Sequence, residues 1–392
     1  MPKNSLRFAL PSLLGVLIFL TPVPWDGNLT IGIGIIYGWI IALMGAYGLP
    51  IVVTLIVTAS LLTILGTVFK IGWIQRRERL HELFDVPLIW LLLRLAGAIF
   101  GSMYLFQFGP ELLQSQGITG EVFAGIAVKV LAVYIAACLL LPLLTEFGFM
   151  EFVGTLARPF FQKVFRLPGR AAIDAVASFV GASAIGLLIT IGQYDRGNYS
   201  ARDASIIATN FSVVSLPFSL VVATVAGIGD LFLPWYGFVI LACLLAAFVT
   251  PRIPPLSRKL DSYVVDSPER DLELHAASES LLKEAWHHAL QRAATAPLGI
   301  EYLRISVTNL MFFIFSVIPA AMALATVAAL VTFHTPVFSW LGYPLAVMFE
   351  LVGFTDGAAA APGFFAGFMD QYMPALTAAS IDSQATSFVL AG

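Results

Sequence analysis

Residues 169–227 read GRAAIDAVASFVGASAIGLLITIGQYDRGNYSARDASIIATNFSVVSLPFSLVVATVAG, and how this stretch meets a bilayer decides the fold. Its first apolar run, 171–191, is about long enough to span a bilayer at roughly 1.5 Å per helical residue. Basic residues flank both ends: Arg158, Lys163, Arg166 and Arg170 precede it, and Arg196 and Arg202 follow. Basic loops favour the cytoplasmic side, so the segment is expected to enter and return rather than cross. The small residues of GASAIG, 181–186, permit a tight reversal at its middle. Each arm is then about ten residues, roughly 15 Å, which reaches the midplane. Non-helical backbone at that depth survives only against protein or a watery cavity. The stretch predicts a re-entrant hairpin that lines a binding cavity.

Working outward, the 392 residues are 59% hydrophobic and only 11% charged, with mean hydropathy +0.89. A soluble domain could not hide that much apolar surface, so the expected class is an all-α polytopic membrane protein. Continuous rather than alternating apolar runs argue against a β-barrel. Cys138 and Cys243 fall in apolar runs and read as free thiols. The N-terminus has the charge and length of a signal peptide but no small-residue cleavage site in TPVPWDG, so it reads as an anchor.

Further apolar runs lie at 8–20, 31–47, 51–74, 86–105, 122–144, 205–226, 231–249 and 307–331. Lys3 and Arg7 place the N-terminus inside, and Arg76, Arg77 and Arg79 place the loop after the third run inside as well. An odd number of crossings between two inside points is inconsistent, and the Gly-rich run 31–47 is the one expected not to cross. Residues 147–167 mix aromatics with Arg158, Lys163 and Arg166, which predicts an interfacial helix on the cytoplasmic face. Residues 251–296 carry Arg252, Arg258, Lys259, Arg270, Lys283 and Arg292 and should lie inside. Within them 278–294 predicts a poorly capped helix, with Leu281 where a capping box has an acid.

No Lys or Arg occurs in 305–392, so loops there should face the periplasm while the first hairpin opens from the cytoplasm. That contrast is the signature of two inverted repeats with re-entrant helical hairpins. The expected organisation is an N-terminal scaffold, 1–120, a first repeat at 121–250 with its hairpin at 171–192, and a cytoplasmic linker with an amphipathic helix at 251–300. A second, shortened repeat follows at 301–392 with its hairpin at 358–379. SARDASIIATNFS after the first hairpin has a counterpart in SIDSQATSFVLAG, and by analogy the second repeat should continue past Gly392 for roughly another helix and a half.

DAVASFVGASAIGLLIT, GNYSARDASIIAT and FSVVS, with AGFMDQYMPALTAASIDSQATSFV at 366–389, resemble the YjiH-type bacterial membrane proteins that carry the Gate, or nucleoside-recognition, domain. That domain also occurs in concentrative nucleoside transporters, spore maturation membrane proteins and the membrane part of ferrous-iron transporters. Asn210, Pro217 and the ending at Gly392 depart from the pattern. The resemblance implies recognition or transport of a small solute in the bacterial inner membrane, without fixing nucleosides as that solute.

Polar groups inside a membrane need a partner or a task. The first hairpin tip offers Ser178, Gly181 and Ser183; the next helix carries Thr209, Asn210, Ser212 and Ser215, then Pro217, which breaks a backbone bond. The second hairpin carries Asp370, followed by Gln384, Thr386 and Ser387. Broken helices of this kind hold substrate and ions in secondary transporters; the competing reading is that small hydroxyls glue helices together. Asp370 is the candidate site for a coupling sodium ion or proton, or else a residue of a shallow periplasmic turn. Arg94 and Lys129 should snorkel to the interface rather than pair with an internal acid, and Ser200-x-x-Asp203 is a capping box.

No phosphate-binding glycine loop, CxxC pair or nucleophile elbow is present, and Glu284-x-x-His287 with His288 reads better as a solvated helix face than as a metal pair. The expected activity is secondary transport of a small polar solute by alternating access, with no enzyme chemistry, no cofactor beyond a coupling ion and no nucleic acid. The expected partners are the lipid membrane, the solute, and a second copy of the chain or a second Gate-containing protein. The alternative is a non-transporting assembly subunit that works with such a protein.

Overall fold

The computed structural model describes residues 3–25, 28–180, 183–211, 216–265, 280–353, 356–367 and 372–392. The architecture is helical, with one short strand pair among the described residues, Pro22–Trp25 with Asn28–Ile31, which the apolar periodicity gave no sign of. Among the described residues five helical runs are long and apolar enough to cross a membrane: Gly32–Thr67, Leu88–Phe106, Glu111–Thr145, Gly229–Arg252 and Ile300–His334. The chain is an all-α polytopic membrane protein. It forms two compact units, the first from Met1–Val23, Leu140–Ser219 and Leu233–Arg304, the second from Pro24–Leu139, Leu220–Phe232 and Ile305–Gly392.

In the second unit, Leu88–Phe106 packs against Gly48–Thr67 and Ile318–His334. Leu91, Arg94, Gly97, Ala98 and Gly101 recur at helical spacing and are buried, whereas Leu88, Ile89, Leu92 and Ile99 are exposed and form the lipid-facing side. Small residues on the buried stripe let backbones touch: a Cβ built on Gly97 would lie 2.2 Å from the Pro319 carbonyl oxygen.

Arg94 does not snorkel, which corrects the expectation. Its side chain is enclosed, and the guanidinium donates to Thr63 Oγ1 at 2.8 Å, the Leu83 carbonyl at 2.7 Å and Ser316 Oγ at 2.6 Å. Three well-placed oxygens replace much of the water the charge loses, so burial costs less than an unpaired charge would. Ser316 sits in a π-helical turn, Phe313–Val317, that the sequence pattern does not reveal.

Two helix boundaries also differ from expectation. The runs 31–47 and 51–74 become one helical run, Gly32–Thr67, broken at Gly45, whose φ of +47° suits glycine, and by the 3₁₀ turn Gly45–Tyr47. Helix resumes at Gly48 with Pro50 in its first turn, where a missing N–H costs nothing. Within the run 205–226 the described residues are helical over Ala201–Asn210 and Leu216–Val225, and 212–215 lie outside the described residues.

In the first unit an amphipathic helix, Phe149–Phe160, extended by the π turn Phe161–Phe165, packs against both Ala171–Val180 and Leu281–Ala294. Gly154 allows the first of these approaches, since a Cβ there would lie 2.8 Å from the Cα of Ile173. Phe161, Phe165 and Phe211 form an aromatic cluster with centroids 5.0–5.2 Å apart. The helix expected over 278–294 is present as Leu281–Ala294, begins after Ser280 without a side-chain cap, and rests on Lys3–Phe19 through the Phe8–Trp286 ring pair at 5.3 Å.

Arg158 clamps Leu281–Ala294 onto Phe149–Phe160 with a bidentate pair to Glu284 at 2.6 and 2.5 Å. Those hydrogen bonds hold the Glu284 carboxyl below its ordinary range. A depressed carboxylate contributes stability above the unfolded-state pKa and loses it as pH falls through the folded one. The Arg158–Glu284 coupling measured by a double-mutant cycle in thermal unfolding should therefore be about 1 kcal/mol near neutrality and fade as the pH falls below the ordinary carboxylate range. Thr155 Oγ1 lies 3.3 Å from His288 Nδ1, so Glu284 and His288 both serve this interface.

The second unit ends in a second helical pair. Val337–Val352 packs on Gly357–Ala366, which packs on Tyr372–Ala379, which packs on Gln384–Ala391. Gly363 permits the pairing of the two arms, since a Cβ there would lie 2.8 Å from Thr377 Cβ.

Candidate functional site

The first hairpin is built from two short helices, Ala171–Val180 and Ser183–Asp195, packed against each other. Gly186 permits the approach, since a Cβ there would collide with Ser178 Oγ on the first arm. Asp174 is one helical turn before Ser178 on the same face. Its carboxylate is buried and bridges three segments: Oδ2 accepts from Thr190 Oγ1 on the opposite arm at 3.0 Å and from the Tyr199 hydroxyl at 3.0 Å. The Thr190 hydroxyl also lies 3.0 Å from the Gly186 carbonyl, so its single proton can turn from one oxygen to the other. Tyr199 is fully buried and leads into Ser200, whose reciprocal capping box with Asp203 starts Ala201–Asn210 as expected.

A cavity of about 280 Å³ adjoins this network, with Thr190 in its wall. Leu187, Ile191 and Tyr194 line it from the second arm; Ala201, Ala204, Ser205 and Ala208, spaced i, i+3, i+4 and i+7, line it from the next helix; Lys259 closes it. Small side chains along one helical face leave the space open, and the cavity offers two hydroxyls, a phenol and an ammonium to a polar solute.

The expected site residues fall into different places. Ser178 lies buried between the arms. Ser183 opens the second arm, and Gly181, Ser212, Ser215 and Asp370 lie outside the described residues. Asn210 is buried, but its amide donates to the Ile206 carbonyl at 2.9 Å and to Thr209 Oγ1 at 3.0 Å and accepts from the Thr250 hydroxyl, so it fastens a helix end. Gln384 is exposed. Thr386 bonds Ser383, the N-cap of the last helix, and Ser387 donates to the Ala378 carbonyl at 2.9 Å, which ties that helix to the second hairpin. Asp174, Thr190 and Tyr199 are the residues that sequence reading passed over. The i, i+4 relation of Asp174 to Ser178 and of Gly186 to Thr190 places all four at the seam between the arms. Among the described residues no group of three or more His, Cys, Asp or Glu side chains could hold a metal ion.

Helices long and apolar enough to cross a bilayer, repeated along the chain, define a multi-pass membrane protein. The family model for the Gate domain, described as nucleoside recognition, matches residues 127–229 and so contains the whole hairpin and its cavity-lining helix. An uncharacterized protein of Alkalihalophilus pseudofirmus is 39% identical over 392 residues, which is 99% of this chain and 84% of that protein. No solved structure matches. The chain belongs to the Gate-domain family of YjiH-type membrane proteins.

Proposed function

We propose that the protein is a secondary transporter for a small polar solute in the bacterial inner membrane. The observation that carries this reading is the Asp174 carboxylate, fixed between two hairpin arms beside a cavity of about 280 Å³. A buried ionisable side chain in a membrane protein marks a site of ion or solute passage by default, and the cavity volume is near the lower end of small-molecule sites. The solute rests against Thr190, Ser205 and Lys259. The coupling ion is a proton on Asp174. Charged, the carboxylate accepts from Thr190 and Tyr199 and draws the arms together. Protonated, it becomes a donor, one of these contacts weakens, and the second arm is free to move. The hairpin of the second unit acts as the inverted counterpart, which gives the alternating access this class of transporter uses.

Purified protein in liposomes tests the reading. With an imposed proton gradient, uptake from a panel of nucleosides and amino acids should include at least one solute that accumulates and is stopped by a protonophore. The family description makes nucleosides the first to try. Absence of uptake across the panel under both proton and sodium gradients would overturn it and favour the assembly-subunit role.

A further inference from the structure

The second unit holds a larger cavity, about 480 Å³, that the hairpin site does not use. Its walls come from three segments: Trp25 and Thr30 on the strand pair, Tyr37 and Trp39 on Gly32–Met44, and Thr224 and Asp230 at the far side. Trp25 and Trp39 meet edge to face with centroids 6.3 Å apart, yet both stay half exposed. Gly34 and Gly38, one turn apart, bare the helix backbone between them; a Cβ on Gly38 would meet nothing within 4 Å. Among the described residues no Lys, Arg or His lines the cavity and Asp230 has no ion-pair partner.

The geometry points to a binding site for an organic ammonium ion in this cavity. Indole and phenol faces attract cations through their quadrupole, with Trp the strongest, and the Asp230 carboxylate supplies the opposite charge. Thr30 and Thr224 offer hydroxyl oxygens to an N–H. The volume lies within the range of small-molecule sites and exceeds what a bare metal ion requires. A free amine and the headgroup of an aminophospholipid present the same group, and the open side of the cavity admits either. The site is independent of the transport reading, because it uses none of the residues on which that reading rests.

Calorimetric titration of the full chain in detergent with tetramethylammonium and with ethanolamine, against sodium at equal ionic strength, tests it. A parallel arm titrates short-chain phosphatidylethanolamine against phosphatidylglycerol. Saturable binding of a soluble ammonium identifies a free amine as ligand; binding of phosphatidylethanolamine alone identifies the lipid headgroup. In either case D230N should weaken binding at least tenfold. G38L, whose side chain fills open space, should block binding without lowering the melting temperature, and D174N should leave binding intact. Sodium matching the ammonium ions, or D230N binding like the wild type, would overturn the assignment.

Discussion

Asp174→Asn should reduce solute uptake in liposomes by at least tenfold while the protein still folds. Asparagine keeps the shape of the side chain, but its amide nitrogen cannot accept from Thr190 or Tyr199, and it cannot carry a titrating proton. The stability loss should stay near 1–2 kcal/mol, because one amide oxygen still serves a donor. Two single variants separate transport from structure. Tyr199→Phe and Thr190→Val each remove one of the 3.0 Å bonds to the carboxylate and leave the acid itself in place. Each should retain proton-driven uptake at a reduced rate, with about 1 kcal/mol lost in unfolding. Normal uptake by the Asp174→Asn protein would reduce the carboxylate to a structural bridge.

Gly97→Ala should destabilise the protein by about 2 kcal/mol, opposite in sign to what helix propensity predicts. Propensity alone favours alanine by roughly 0.5–1 kcal/mol in a helix interior. Here the new methyl would sit 2.2 Å from the Pro319 carbonyl oxygen, a backbone atom with no rotamer to escape into. The crossing of Leu88–Phe106 with Ile318–His334 would have to open, and the 2.6 Å bond from Arg94 to Ser316 would open with it. Gly38→Ala serves as the control, since nothing lies within 4 Å of its added carbon, and it should raise the melting temperature slightly. Equal melting temperatures for the two variants would contradict the close crossing.

Much of the fold was legible before the structure. Apolar run length placed the long spans, basic flanks marked the hairpin, and the Ser200–Asp203 spacing located a helix start that forms as expected. The π turns at 313–317 and 161–165 were not legible, because an extra residue in one turn leaves apolar periodicity almost unchanged. Arg94 was misread since composition shows a charge in an apolar run but not the three oxygens that surround it, which come from positions 63, 83 and 316. Hydroxyls and an amide drew attention to Asn210, whereas that amide is consumed by its own helix and by Thr250. The carboxylate that joins the arms lay nearer the helix start, where a sequence rule expects an acid for reasons of helix dipole alone.

The central claim is that the segment 171–195 doubles back instead of crossing, so that Asp174 and Thr190 meet. Arg166 and Arg196 bracket it, and both are exposed. Each is replaced singly by cysteine in a background with Cys138 and Cys243 changed to alanine, and intact cells and inside-out vesicles are treated with a membrane-impermeant maleimide. The account predicts labelling of both positions in the vesicles and of neither in the cells. Labelling of the two positions from opposite sides would contradict it.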